Sequence, residues 1–223
     1  MKSILYWSVL IVSIAVIVSS CAKSDESKTA STDNTNSSST PTYTYATPTS
    51  GATASGTITL GNYSISGTYA TFCFSASDSS APTDATHIGF VAVVTGTDNY
   101  TLETNYYKDS TCTADSLSLG WYHNMDNVTD QGPTASDSTA NQKVTYVQRN
   151  LTFMAKSTAA DTFITEQWSA YSIDFEVDVL KILNIGLSIY NLIKVADDGS
   201  LSFGEPSSSA YPSTVGSNTY VKQ

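Results

Sequence analysis

The sequence predicts an all-β fold: an antiparallel barrel or sandwich with at most one short helix, preceded by an export leader and a tether. Three observations carry this. Apolar residues recur with period two in many short runs after Gly56, turn residues punctuate those runs, and Tyr, Ser and Thr abound while only 13% of residues are charged. A typical globular domain carries about 25%, so this surface is hydrated by hydroxyls rather than ions. Roughly eight to ten strands within the last ~170 residues suit a barrel or a sandwich.

The runs come in order. Residues 57–60 and 62–65 alternate as short strands, and 68–74 follow. Residues 87–95 form a continuous β-branched and apolar run. Gly96, Asp98 and Asn99 then supply turn chemistry, and 100–103 open an alternating return strand. Further strands are expected at 117–122 and 143–154, separated by a polar loop over 124–142 that contains Gly132 and Pro133. Residues 173–179 alternate apolar with acidic, which predicts a strand with Asp174, Glu176 and Asp178 on a solvated face. Residues 189–195 and 200–203 flank Asp197-Asp198-Gly199, a strong hairpin signal. Over 179–192 two periods compete. Leu180, Leu183 and Leu187 fit a helix, whereas Ile185, Leu187 and Ile189 fit a strand, and a short helix is expected in part of the segment.

The N-terminus has a different character. Lys2 precedes an apolar run over 4–18, too short for a spanning helix and interrupted by Ser8 and Ser13. Val18-Ser19-Ser20-Cys21 then places two small residues before a cysteine. This resembles the lipobox of bacterial lipoproteins. The resemblance implies that residues 1–20 are a signal peptide cut before Cys21, whose thiol takes a diacylglycerol and whose new amine is acylated, typically with palmitate. The residues leave a second reading open, an ordinary secretory signal with an incidental cysteine, towards which the sequons at Asn62, Asn99, Asn127 and Asn150 lean. Between residues 22 and 52, 15 of 31 residues are Ser or Thr. Such a stretch cannot offset the entropy of ordering, so residues 21–55 are expected to form a disordered tether with a span of about 30 Å. The folded, extracytoplasmic domain is expected at 56–223. Acyl chains would hold it on a membrane of the bacterial cell envelope, and Ala22, where some lipoproteins carry a retaining aspartate, tilts this towards the outer membrane if there is one.

Charge narrows the partners. A net charge of −10, with Arg149 the only arginine, opposes phosphate backbones and so excludes nucleic acid. Cysteine arithmetic agrees with export: once Cys21 is lipidated, Cys73 and Cys112 remain as an even pair in an oxidising setting. A disulfide is expected, with two buried free thiols as the alternative. Neither His87 nor His123 has ligand spacing to these cysteines, and Asp126, Asp130 and Asp137 lack the EF-hand pattern, so no metal site is expected.

The segments Tyr106-Tyr107-Lys108-Asp109-Ser110-Thr111-Cys112 and Asp198-Gly199-Ser200-Leu201-Ser202-Phe203-Gly204, with Tyr211-Pro212 and Tyr220 beyond, resemble small bacterial lipoproteins with lipocalin-like β-barrels. The likeness implies a barrel and names no ligand. Gly120 and Trp121 are adjacent and mid-chain, unlike the Gly-x-Trp in the first strand of lipocalins proper. No G-x-S-x-G, C-x-x-C or phosphate-cradling glycine loop occurs, so neither catalysis nor a cofactor is expected. His87 opens an apolar strand and reads as structural, whereas His123 sits in an aromatic run. Trp121, Tyr122, His123, Trp168 and Tyr171 are the candidates to line a ligand site, with a plain core role as the alternative. Two functions stay open: a non-catalytic interaction or structural module, and a carrier of a small apolar ligand. An enclosed, lined interior favours the carrier, and a filled one favours the module.

Overall fold

The structure is a computed structural model and describes residues 43–76, 80–135 and 139–223. The expected signal peptide, Cys21, the tether up to residue 42 and Asp137 lie outside the described residues. Among the described residues strand accounts for 49% and helix for 9%. In chain order the strands are β1 (Ile58–Leu60), β2 (Tyr63–Ile65), β3 (Thr68–Ala70), β4 (Phe74–Ser75), β5 (His87–Val94), β6 (Tyr100–Tyr107), β7 (Leu117–Pro133), β8 (Gln142–Ala155), β9 (Leu180–Val195), β10 (Leu201–Phe203) and β11 (Val221–Lys222). The helix α1 (Thr158–Gln167) lies between β8 and β9.

Each strand from β5 to β9 pairs antiparallel with its successor, and β3 and β4 pair with β5. The return of β11 to β3 brings the two ends of the sheet together: Leu201 and Tyr220 exchange backbone hydrogen bonds of 2.9 and 2.8 Å. The result is a nearly closed antiparallel barrel, the architecture that lets a sheet hide its edges. It is closed along β10 and β11 only. From Leu180 to Ile189, β9 pairs with β8 on one side, and its outer pairing begins at Tyr190, opposite Ser207.

Residues directly opposite on paired strands share a face, so the register sorts the barrel into inside and outside. Phe90, Thr104, Trp121 and Phe153 form one inward row. Towards the closed end, Tyr100 packs edge-on to Tyr146 and stacks on Phe203, which meets Tyr220. The other end is plugged by the segment between β8 and β9. Ser157 caps α1 by accepting from the Ala160 N–H at 3.1 Å. The helix buries Ala160 and Ile164 and sets Phe163 against Tyr106. Trp168 and Phe175 then pack on Phe153 at 5.3 and 5.4 Å.

Four expectations need correction. Residues 173–179 form no strand: only Phe175 of their apolar set is buried, and Asp178 takes a left-handed backbone conformation that ends the extension. The segment 179–192 is strand from Leu180 onward, because its residues complete the register of β8, and the helix lies instead at Thr158–Gln167. The polar loop over 124–142 shrinks, since β7 runs to Pro133 and β8 starts at Gln142, with register shifts absorbing the irregularity. The compact unit begins at Thr44 rather than 56. Residues 44–52 lie on the outer face of the barrel because hydroxyl and backbone groups there satisfy buried polar side chains.

Candidate functional site

The interior row continues through Leu102 and His123, which face each other across β6 and β7. The His123 ring stacks on Trp121 with centroids 5.8 Å apart, and its Nδ1 lies 3.1 Å from the Gln148 side-chain amide. Burial pushes its pKa down to about 4, so at neutral pH the ring carries no charge. Both His123 and Leu102 nonetheless keep part of their surface accessible, unlike Trp121, Leu151 and Phe153 around them. The inward row is thus fully buried at Trp121 and Phe153 and only partly buried at Leu102 and His123.

Polar atoms in the helix-capped end are unusually poorly matched. The indole N–H groups of Trp121 and Trp168 and the hydroxyl of Tyr106 are buried without a hydrogen-bond partner. An indole nitrogen only donates, and an unmade buried hydrogen bond costs about 1–3 kcal/mol. Trp121 and Trp168 meet edge-on at 6.0 Å, so two of these donors belong to one aromatic cluster. Two ion pairs lie near it, Lys181 with Glu176 at 3.0 Å and Lys156 with Asp178 at 2.7 Å, while one carboxylate oxygen of Asp161 in α1 is buried without a partner. The chain matches no protein-family model and no curated protein.

Of the five candidate lining residues, the structure brings four together. Trp121 and His123 line the interior, Trp168 closes its end, and Tyr171 packs on Trp168 at 5.0 Å. Tyr122 is not among them. Strand alternation turns it to the outer face, where its ring folds over Gly120 and its hydroxyl sits 3.0 Å from that of Thr49. Cys73 and Cys112 are a disulfide-distance pair with Cα atoms 6.3 Å apart. They tie the loop after β6 to the β3–β4 connection beneath Ala46.

The remaining acids are local. Asp126 pairs with Arg149 at 3.0 Å, and Asp130 accepts from the backbone N–H groups of Gly61 and Gly132, both at 2.9 Å. His87 bonds its neighbour Thr86. Sequence reasoning missed a polar site on the outer face, built from Glu103, Asn105 and Tyr107 of β6 and Tyr122 of β7. Alternation places Thr101, Glu103 and Asn105 together, but such a row normally faces solvent. The signal that it does not is the Ser/Thr-rich stretch upstream, which supplies its partners.

Proposed function

We propose that this chain is a lipid-anchored lipoprotein of the bacterial cell envelope whose barrel carries a small, uncharged, largely apolar ligand. The observation that supports this best is the pair of buried, unpartnered indole donors of Trp121 and Trp168, which meet edge-on, with the partly accessible ring of His123 stacked on Trp121. The interior thus presents indole donors and aromatic faces. A ligand with an apolar body and an acceptor oxygen answers both features. A barrel of about eight strands is either filled by its side chains or holds one small ligand. Native mass spectrometry of the protein recovered from its own host tests the reading. A retained mass that is lost in Trp121→Ala would support it, and a ligand-free spectrum under gentle extraction, with no binding of apolar probes, would refute it.

A second reading, a non-catalytic interaction or structural module displayed on its tether, is favoured by a different surface. Val177, Val179, Leu180 and Ile182 are exposed beside the stretch of β9 that pairs on one side only, with Ile182 55% accessible. Unprotected strand edges of this kind accept a partner strand. Backbone amides of residues 180–188 that exchange rapidly in the isolated protein and become protected in envelope extracts would favour this reading over the carrier.

A further inference from the structure

Glu103 is 1% exposed, and among the described residues no cation pairs with it. Burying a carboxylate without a counter-charge is costly unless hydrogen bonds replace its hydration. Those bonds come from the segment laid across the barrel. One carboxylate oxygen accepts from the Thr49 backbone N–H at 2.8 Å and the Asn105 side-chain amide at 2.9 Å, and the other accepts from the Ser50 hydroxyl. The Thr49 hydroxyl donates to Asn105 at 2.7 Å and touches the Tyr122 hydroxyl. Tyr107 reads the main chain of Thr47, donating to its carbonyl at 2.9 Å and lying 3.2 Å from its N–H. Pro48, between the two threonines, has no N–H to satisfy. The groove is also shaped for a main chain. A Cβ at Gly89 would lie 2.5 Å from that of Ala46, and one at Gly120 would collide with the Tyr122 ring that walls the site.

These are the features of a peptide-binding site, and here the peptide is part of the same chain. The Thr-Pro-Thr tripeptide occurs twice in the sequence, at 47–49 and at 40–42. We propose that the Glu103 groove is a recognition site for an extended Thr-Pro-Thr-Ser segment, filled in cis by residues 47–50 and open to the same segment of a second copy when that strap lifts. In cis the strap competes at the high effective concentration of a tethered ligand, so an added peptide meets an occupied site. Weakening the strap exposes the groove.

The test uses the full-length chain carrying Thr49→Ala and Ser50→Ala, with a fluorescent peptide of sequence YATPTSGA as the probe. The peptide should bind this variant saturably and the unaltered chain at least about tenfold more weakly, since bonds to a charged acceptor are lost only from the variant's own strap. Adding Glu103→Gln should abolish binding. Should that change unfold the barrel, as circular dichroism would reveal, Tyr122→Phe removes a single hydroxyl and should weaken binding several-fold. Mixing the strap-weakened chain with a Glu103→Gln chain should give a heterodimer by native mass spectrometry that neither forms alone. Absence of peptide binding although protease cuts within 44–52, or persistent protection of that segment in the variant, overturns the proposal. Peptide binding without a heterodimer overturns the second copy as its partner.

Discussion

Removing the Cys73–Cys112 link should be the most destabilising change available on the outer face of the barrel. The two residues are 39 apart in sequence. Closing a loop of that length removes unfolded-chain entropy worth about 4 kcal/mol, against a total stability of about 5–15 kcal/mol. For a domain of this size each kcal/mol moves Tm by roughly 2–4 °C, so the Cys73→Ala/Cys112→Ala variant should melt about 8–16 °C lower. Part of the loss is native packing, because Cys112 is buried against Ala46, Val91 and Leu117. Calorimetry of both forms measures the drop. Urea titration adds a second reading, since an unfolded chain without the link exposes more surface and should raise the m-value. Non-reducing peptide mapping establishes the bond first. A drop of less than about 1 kcal/mol with the bond present, or free thiols in protein recovered from its own host, would refute the reasoning.

Other outcomes are expected from the same structure. Trp168→Ala should cost about 3–5 kcal/mol in urea unfolding, because the ring plugs one end against Trp121 and Phe153; a cost under about 1 kcal/mol would show that the end is not closed by it. Gly120→Ala should displace the Tyr122 ring, cost about 1–3 kcal/mol and make residues 44–52 sensitive to protease, so continued protection would speak against the contact. His123 has a folded pKa of about 4, below its unfolded value near 6.5, so the unfolded state binds the extra proton and stability falls as pH drops from about 6.5 to 4. Relative to His123→Gln that loss should amount to about 3 kcal/mol, and parallel pH profiles for the two proteins would contradict it. Ile182→Lys should leave stability within about 0.5 kcal/mol while lowering retention on a hydrophobic resin, since Ile182 is exposed at the half-paired strand.

Much of the barrel was legible because strand alternation and turn chemistry are local. The run over 87–95 and its return from Tyr100, with Gly96 and Asn99 between them, form the β5–β6 hairpin. Local pattern failed where tertiary pairing decides. The alternation at 173–179 is regular, yet the segment makes a single bridge, Val177 to Ala155, before Asp178 turns left-handed. Leu180, Leu183 and Leu187 have helical spacing but are drawn into β9 by the free edge of β8. The helix that does form carries Ser157 as a cap, a signal present in the sequence, although the short apolar face beyond it is too weak to stand out. At the candidate site, composition pointed to aromatic residues of which Trp121, Trp168 and Tyr171 pack in one cluster. It could not assign faces, and a single step of register separates Trp121 and His123 inside from Tyr122 outside. The outer groove was illegible for another reason, since Glu103 and Thr49 acquire meaning only together, 54 residues apart.

The way the barrel shuts constrains how it comes into being. β3 ends at Ala70, and the strand that covers its outer edge does not begin until Val221. A nascent chain therefore holds the first-made part of the wall open through the synthesis of nearly everything else, and the seam can form only after residue 222 is free. Contacts so distant in sequence make for slow folding. In the interval β3 and β9 both present bare edges to neighbouring chains, the circumstance in which aggregation begins. Deleting residues 220–222 would remove few atoms and yet leave the wall unsealed, since Tyr220 is buried and pairs with Leu201 while Val221 and Lys222 pair with β3. Such a deletion should matter far more to the survival of the protein than its size suggests.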